Sequence, residues 1–146
     1  MPARQRQPPG SADEVEQAFY GALNAGDIEA LMALWSDDDE IVCVHPGGPR
    51  VLGTQAIRAS FEAIFASGGI PVRPERVRRL SGHACAVHSV LEQVQVAGQR
   101  GPQSAWVFAT NVFVKTTHGW RLAAHHASPG NPGELEEAAE SGATIH

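Results

Sequence analysis

The chain has 146 residues, a mass of 15.5 kDa and a formal net charge of −5. This length suits one domain with a single core, and the acidic balance gives no reason to expect a nucleic-acid partner, so we expect a small-molecule ligand. No apolar run reaches the length of a membrane span, and the first residues lack the hydrophobic segment of a signal peptide, which favours a cytoplasmic protein with no membrane partner. Cys43 and Cys85 lie in apolar runs, which predicts two reduced core thiols rather than a disulfide or a metal site.

The two ends of the chain differ in composition from its middle. Residues 1–10 are polar and include Pro8, Pro9 and Gly10, which predicts a disordered N-terminal tail. Residues 131–146 are acidic and have almost nothing to bury, which predicts a flexible tail or at most a short surface helix. The predicted domain therefore spans residues 11–130.

Two helices are predicted at the start of this domain. Ser11 and Glu14 form a capping-box pattern, and apolar residues then recur at helical spacing. Gly26 suits the end of this helix, and the next residue, an aspartate, suits the cap of a second helix from Ile28 to about Trp35. Apolar residues cover most of this second helix, so we expect Trp35 to lie in the core or in the wall of a pocket.

A short strand and a third helix follow. The four acidic residues 37–40 are typical of a solvated loop. Residues 41–44 form a predicted strand, and His45 stands where that strand opens into a loop, a position that suits a site residue but equally a solvent-facing or capping histidine. Thr54 is expected to cap the third helix, which should end at Gly68 and Gly69 and lie on the sheet.

From residue 72 onward the pattern is that of strands. Four arginines in residues 72–80 predict a solvated edge strand rather than a nucleic-acid patch. The next strand, residues 84–97, places His88, Val90 and Glu92 on one face. A pocket on that side would present an imidazole and a carboxylate together, whereas the alternative is that this face is exposed.

The final two strands form a predicted hairpin. Residues 106–115 and 120–127 are rich in strand formers and are separated by residues 117–119, a loop length that suits a turn with glycine in its last place. A three-residue loop pairs residues whose numbers sum to 236, which places Asn111 opposite His125 and makes them the expected polar floor of a pocket. A two-residue loop would instead set Asn111 against Ala124 and move His125 to the opposite face from Asn111.

This register divides the hairpin into two faces. The pocket face combines these two polar residues with small side chains that leave room for a ligand. The opposite face should form a homodimer, because its apolar residues would otherwise be exposed. The pocket face comprises Ala109, Asn111, Phe113, Ala123, His125 and Ala127, and the dimer face comprises Phe108, Thr110, Val112, Val114, Trp120, Leu122, Ala124 and His126.

Several short motifs occur in order along residues 12–130. They are Phe19-Tyr20 through Asn24-Ala25-Gly26-Asp27, Leu52-Gly53 with Ile57, and Gly119-Trp120-Arg121-Leu122 leading into His125-His126-Ala127-Ser128-Pro129. Their order and spacing resemble the SnoaL-like, ketosteroid isomerase-like superfamily, also called nuclear transport factor 2-like. The ending resembles the branch that contains the association domain of calcium/calmodulin-dependent protein kinase II. The resemblance implies an α+β fold in which a cone-shaped, strongly curved and mainly antiparallel sheet wraps around the N-terminal helices, with a deep pocket and usually a dimer.

The resemblance does not carry a function with it. Arginines line the pocket of the kinase association domain, and the matching positions here hold Val90, Asn111 and Ala127, so no anion pocket is expected. The isomerase-like enzymes use an acid as general base and a tyrosine-type donor for the oxyanion. The single tyrosine of this chain is Tyr20 on the first helix, and the late strands offer histidine and asparagine instead of aspartate.

Two functions therefore remain open at this point. The first is binding of a small, partly apolar molecule without catalysis, and the second is an isomerase, cyclase or dehydratase reaction in which His125 or His88 moves a proton and Asn111 orients a carbonyl oxygen. No cofactor and no metal are expected; a metal site drawing on His45, His125 and His126 is least favoured, because adjacent strand residues point to opposite faces. The expected ligand-binding residues are Trp35, His45, Val90, Ala109, Asn111, Phe113, His125 and Ala127.

Overall fold

Helices come first in the chain and long strands come last. The computed structural model describes residues 10–98 and 101–130. The predicted tails fall outside these ranges, except for Gly10. The described elements are α1 (Ala12–Ala25), α2 (Ile28–Met32), β1 (Val42–Val44), β2 (Arg50–Leu52), α3 (Thr54–Phe65), β3 (Val72–Ser81), β4 (Cys85–Gly98), β5 (Gly101–Thr116) and β6 (Gly119–Gly130).

The six strands form one curved sheet in the order β2-β1-β6-β5-β4-β3. All neighbouring strands are antiparallel except β1 and β6, which run parallel. The arginine-rich strand β3 is an edge of the sheet, as predicted, and α1 packs against β6 and β3. The α+β fold with N-terminal helices and a mainly antiparallel curved sheet is confirmed. Among the described helices, none is both long and apolar enough to cross a lipid bilayer.

The capping residues of helix α1 determine where the helix begins and ends. The Ser11 hydroxyl accepts a hydrogen bond from the Glu14 backbone N–H at 3.2 Å, as the capping pattern predicts. Gly26 adopts φ 67°, and its N–H reaches the last carbonyls of the helix, which a left-handed residue makes possible. The buried stripe of α1 contains two polar residues, Glu16 and Tyr20, and this feature positions the site described below.

Two helix boundaries differ from the expectation. Helix α2 ends at Met32 rather than near Trp35, because residues 34–36 exchange backbone hydrogen bonds with Leu122 and Trp35 bridges to that strand residue. Gly53, and not Thr54, is the N-cap of α3, and no side chain caps that helix. Trp35 itself is 4% exposed and belongs to the core, as expected.

The hairpin turn is one residue shorter than predicted. Thr116 pairs with Gly119, which lies at φ 100°, so the pairs near the turn sum to 235 instead of 236. A β-bulge then leaves Ala123 without a partner between the Phe113–Leu122 and Val112–Ala124 pairs. Beyond the bulge the sum returns to 236.

The bulge corrects the predicted division of the two faces. Leu122 pairs with Phe113 and is 0% exposed, and Trp120 also packs against the core, so neither belongs to the outer face. The outer face keeps Phe108, which is 40% exposed, and the half-buried Val112 and Val114. The two cysteines also separate: Cys43 is buried as expected, whereas Cys85 is exposed and is not a core thiol.

Candidate functional site

A group of polar side chains lies between α1 and the inner face of the sheet. His88 on β4, Asn111 on β5 and His125 on β6 are direct partners across three strands, so they form one row. Helix α1 faces this row with two further polar residues, and β4 adds a carboxylate four residues beyond His88. Every member is at least 94% buried. We call this set the polar cluster; it consists of Glu16, Tyr20, His88, Glu92, Asn111 and His125.

Asn111 is the centre of the polar cluster. Its Nδ2 donates to Glu16 Oε2 at 3.1 Å and to the Tyr20 hydroxyl at 3.1 Å, and its Oδ1 lies 2.6 Å from His125 Nδ1. An amide has two donor hydrogens and an acceptor oxygen, so all of its polar groups are engaged at a residue that is 0% exposed. The predicted pairing of Asn111 with His125 is confirmed in both register and hydrogen bonding.

His125 is held as a neutral imidazole. Because Asn111 Oδ1 accepts, Nδ1 of His125 carries the hydrogen and Nε2 has a lone pair to offer. Burial, with smaller contributions from His45 and His126, lowers the pKa of His125 to about 3. The ring packs against Phe19 at a centroid distance of 5.1 Å. This side chain is therefore a fixed hydrogen-bond acceptor at neutral pH.

Tyr20 and Glu92 form a short buried pair. The Tyr20 hydroxyl donates to Glu92 Oε2 at 2.6 Å. Burial raises the pKa of Glu92 to about 7, although the hydrogen bond from Tyr20 opposes this shift. Burial and the Glu92 carboxylate raise the pKa of Tyr20, so the phenol keeps its proton. Glu92 is thus a carboxyl group that exchanges a proton near neutral pH.

His88 lies between two carboxylates, those of Glu16 and Asp13. Its Nδ1 is 3.0 Å from Glu16 Oε2 and its Nε2 is 3.8 Å from Asp13 Oδ1. The first contact has the distance of an ion pair but not the alignment of a hydrogen bond, so Nδ1 has no hydrogen-bond partner among the described residues. Arg79 on β3 donates from Nε to Asp13 Oδ1 at 2.7 Å.

His45 stands apart from the polar cluster. Its Nε2 lies 3.0 Å from the Ser60 hydroxyl on α3 and 3.8 Å from Cys43 Sγ, and its ring meets Phe61 edge-on. Burial lowers the pKa of His45 and, together with a smaller effect of Glu92, raises the pKa of the Cys43 thiol to about 12. Nε2 of His45 is therefore engaged by Ser60 and Cys43 rather than directed at the polar cluster.

The remaining predicted ligand-binding residues are apolar and buried. Val90, Ala109 and Ala127 are partners across β4, β5 and β6. Each lies two residues along its strand from the row of His88, Asn111 and His125. Small side chains therefore lie next to the polar row on the inner face. The other two members, Phe113 and Trp35, are 1% and 4% exposed, and the indole Nε1 of Trp35 is a buried donor without a partner among the described residues.

Sequence reasoning missed Glu16 and left Tyr20 without a role. The signal was present in the helix pattern: residues 12, 15, 16, 19, 20 and 23 all fall on one stripe, and a polar residue inside an apolar stripe must find a buried partner. Glu92, which was noted only as a neighbour of His88, is 6% exposed and central to the site, so the exposed alternative for that face is wrong.

Comparison with known proteins identifies the family of this chain. The model of the SnoaL-like domain matches residues 13–132, and the chain belongs to this family. The superfamily and the branch inferred from the sequence motifs are confirmed. No curated protein matches the chain.

Solved structures give the same placement. A candidate calcium/calmodulin-dependent protein kinase type II association domain from Thiobacillus denitrificans is 29% identical, with a TM-score of 0.75 over 84% of this chain and 97% of that one. A candidate dehydratase of the nuclear transport factor 2-like family from Streptomyces avermitilis is 30% identical, with a TM-score of 0.71 over 80% and 91%. A ketosteroid isomerase-like protein from Erwinia carotovora atroseptica shares the fold at 20% identity, with a TM-score of 0.67 over 82% and 94%.

Proposed function

We propose that the inner face of the sheet binds a small, partly apolar molecule that donates a hydrogen bond to His125 Nε2. The hydrogen bond between His125 Nδ1 and Asn111 Oδ1 carries this proposal, because it fixes the ring and presents Nε2 as an acceptor inside an apolar shell. Ala109 and Ala127 supply the small neighbouring surface, and the unpartnered Trp35 Nε1 supplies a donor within the same core.

The charge of the site argues for a neutral ligand. The polar cluster contains two buried carboxyl groups, Glu16 and Glu92, and no arginine or lysine. Val90, Asn111 and Ala127 stand where the association domain is expected to carry its arginines. An anionic ligand would therefore lose its hydration without gaining a cationic partner.

Binding fits His125 better than catalysis does. A general base works best when its pKa lies near the operating pH, and a pKa of about 3 makes His125 a weak base at neutral pH. Hydrogen-bond acceptance needs only the neutral ring.

A fluorescent probe tests this proposal. N-phenylnaphthylamine is neutral, partly apolar and has one N–H donor, so we expect it to bind with enhanced fluorescence, while anilinonaphthalene sulfonate, which adds an anion, binds much more weakly. His125→Ala should weaken probe binding about tenfold, the effect of roughly 1.4 kcal/mol for one hydrogen bond. His126→Ala, the exposed neighbour, is the matched control and should bind like the unaltered chain. Equal binding of the two variants, or preference for the sulfonate, would contradict the proposal.

One observation favours a second candidate function. Glu92 has a pKa of about 7 and a hydrogen bond to a phenol, an arrangement that suits acid–base work on a carbonyl or hydroxyl compound. The similar protein from Streptomyces avermitilis is described as a candidate dehydratase. Water loss from hydroxy-carbonyl compounds, followed by mass spectrometry and abolished by Glu92→Gln, would establish catalysis; no turnover in the unaltered chain leaves binding alone.

We further propose a homodimer that forms through the outer face of β5 and β6. Phe108 is exposed there beside the half-buried Val112 and Val114, which are apolar residues on a small protein. Sedimentation velocity should give twice the chain mass of 15.5 kDa, and Val112→Asp should give the single chain. A single chain at micromolar concentration before any substitution would contradict the proposed interface.

A further inference from the structure

A second cluster lies where the first turns of α1 meet β4. Asp13, Glu16 and His88 each offer one ligand atom, and these atoms lie within 4.8 Å of one another. Asp13 is partly exposed, whereas Glu16 and His88 are 4% and 1% exposed. The cluster therefore reaches from the surface into the interior, and the proposed small-molecule site does not account for it.

The unpartnered nitrogen of His88 is an independent sign that something is bound here. Nδ1 is buried, lies 3.0 Å from Glu16 Oε2 and has no aligned hydrogen bond. A buried polar atom without a partner is costly, and native proteins rarely retain one without a reason. A metal ion bound between the imidazole and the carboxylate would use this lone pair.

A small cavity gives access to the cluster. Its volume is about 190 Å³, and both Asp13 and His88 line it together with Ser11, Ser81 and Trp120. The space suits water molecules that would complete the coordination of an ion held by three protein ligands.

The residues that hydrogen-bond to the candidate ligands also suit a metal site. Arg79 Nε donates to Asp13 Oδ1 at 2.7 Å, which orients that carboxylate. Asn111 Nδ2 similarly donates to Glu16 Oε2 at 3.1 Å. Ligating carboxylates in proteins are commonly fixed by outer hydrogen bonds of this kind.

We propose that Asp13, Glu16 and His88 bind one divalent transition-metal ion of the zinc or cobalt class. The mixed imidazole and carboxylate set favours such ions over Mg²⁺ and Ca²⁺, which prefer oxygen ligands alone. The three protein ligands leave at least one position for water on the side of the cavity. The alternative is that the cluster holds no metal ion, and the experiment separates these two outcomes.

Cobalt titration of the full-length, tag-free chain after chelator treatment tests the proposal. We expect one Co²⁺ per chain and a visible absorption band stronger than that of the aqueous ion, because a site of low coordination number intensifies this band. Excess Zn²⁺ should remove the band. If the cluster binds no metal ion, the spectrum stays that of the aqueous ion, and this result overturns the proposal.

Variants assign the ligands. His88→Gln and Asp13→Asn should each weaken Co²⁺ binding at least tenfold, and Asp13→Asn, at a partly exposed position, should retain the folded circular dichroism spectrum if His88→Gln does not. His126→Gln on the outer face is the matched control and should leave the affinity unchanged. Equal affinity in the unaltered chain and in Asp13→Asn would overturn the assignment, as would loss of binding in His126→Gln.

Discussion

The inner and outer faces of the β5–β6 pair carry similar types of residue, but those on the inner face are buried and those on the outer face are exposed. The inner face carries Asn111, Phe113 and His125, all at least 95% buried, whereas the outer face carries Phe108 and His126, both exposed. The inner residues Asn111 and His125 hydrogen-bond to each other inside the molecule. Strand alternation, and not residue type, therefore decides which histidine and which phenylalanine contribute to the core and the site.

Removing a phenylalanine from each face should give the largest contrast. Phe113→Ala should lower the free energy of unfolding by about 3–5 kcal/mol, because it empties a fully packed position. Phe108→Ala on the same strand should cost about 1 kcal/mol or less. Urea denaturation followed by circular dichroism measures both. Both losses are measured in the Val112→Asp background, which keeps the chain single, so that the proposed dimer does not contribute. An equal loss at Phe108 would then mean that its side chain is packed within one chain.

The second-largest difference in unfolding free energy should be between a buried and an exposed polar residue of β5. Asn111→Ala leaves the buried polar groups of Glu16 and His125 without their partner, and we expect a loss of about 3 kcal/mol in the free energy of unfolding. Thr110→Ala, one residue earlier and exposed, should change it by less than about 0.5 kcal/mol. Denaturant midpoints at one pH suffice, and indistinguishable midpoints would show that the polar cluster contributes no stability.

Glu92 should give the inner face a pH dependence. Its folded pKa is raised from 4.5 to about 7, so the native state binds the extra proton, and this contribution is lost as pH rises through 7. Relative to Glu92→Gln, the unaltered chain should lose on the order of 2 kcal/mol of unfolding free energy between pH 5 and 8. The lowered pKa of His125 makes the unfolding free energy rise with pH below pH 6.5. This contribution is present in both the unaltered chain and Glu92→Gln, so it cancels in their difference.

Glu62→Gln on the exposed side of α3 is the control for this titration and should keep the pH dependence of the unaltered chain. If Glu92→Gln also keeps it, the carboxyl group of Glu92 does not titrate as described.

The smallest expected effect comes from the hydroxyl of Tyr20. Tyr20→Phe removes one hydrogen bond to Glu92 and one from Asn111, which should cost about 1.5 kcal/mol. Because that hydroxyl lowers the pKa of Glu92, its loss should raise this pKa further. An NMR titration of the Glu92 carboxyl carbon gives the direction, and a lowered pKa would contradict the assigned hydrogen bond.

Much of the fold could be predicted from local patterns. The Ser11 cap, Gly26 and the edge position of β3 follow from residues close together in the chain. The partners of Glu16 and Tyr20 could not be predicted in the same way, because Glu92 and Asn111 come from strands more than seventy residues further along the chain. Helix periodicity shows that such residues are buried but does not show what they meet.

The register of the site was predicted correctly although the turn was not. The predicted loop was one residue too long, and the bulge at Ala123 restored the one-residue difference before Asn111. A bulge can be recognised in sequence only when the burial on both sides of it is known. Here Leu122 and His125, three residues apart, are both buried, which a regular strand does not allow.

The unpaired residue at Ala123 also isolates the site from the tip of the hairpin. Because the extra residue takes up a change in alignment between the turn and Asn111, the tip is a promising place for grafted loops or chemical labels. A protein engineer could therefore rebuild the loop residues 117–118 as an attachment point while keeping the binding face in its original alignment. The same two strands thus combine an end that can be replaced with a site whose strand alignment stays unchanged.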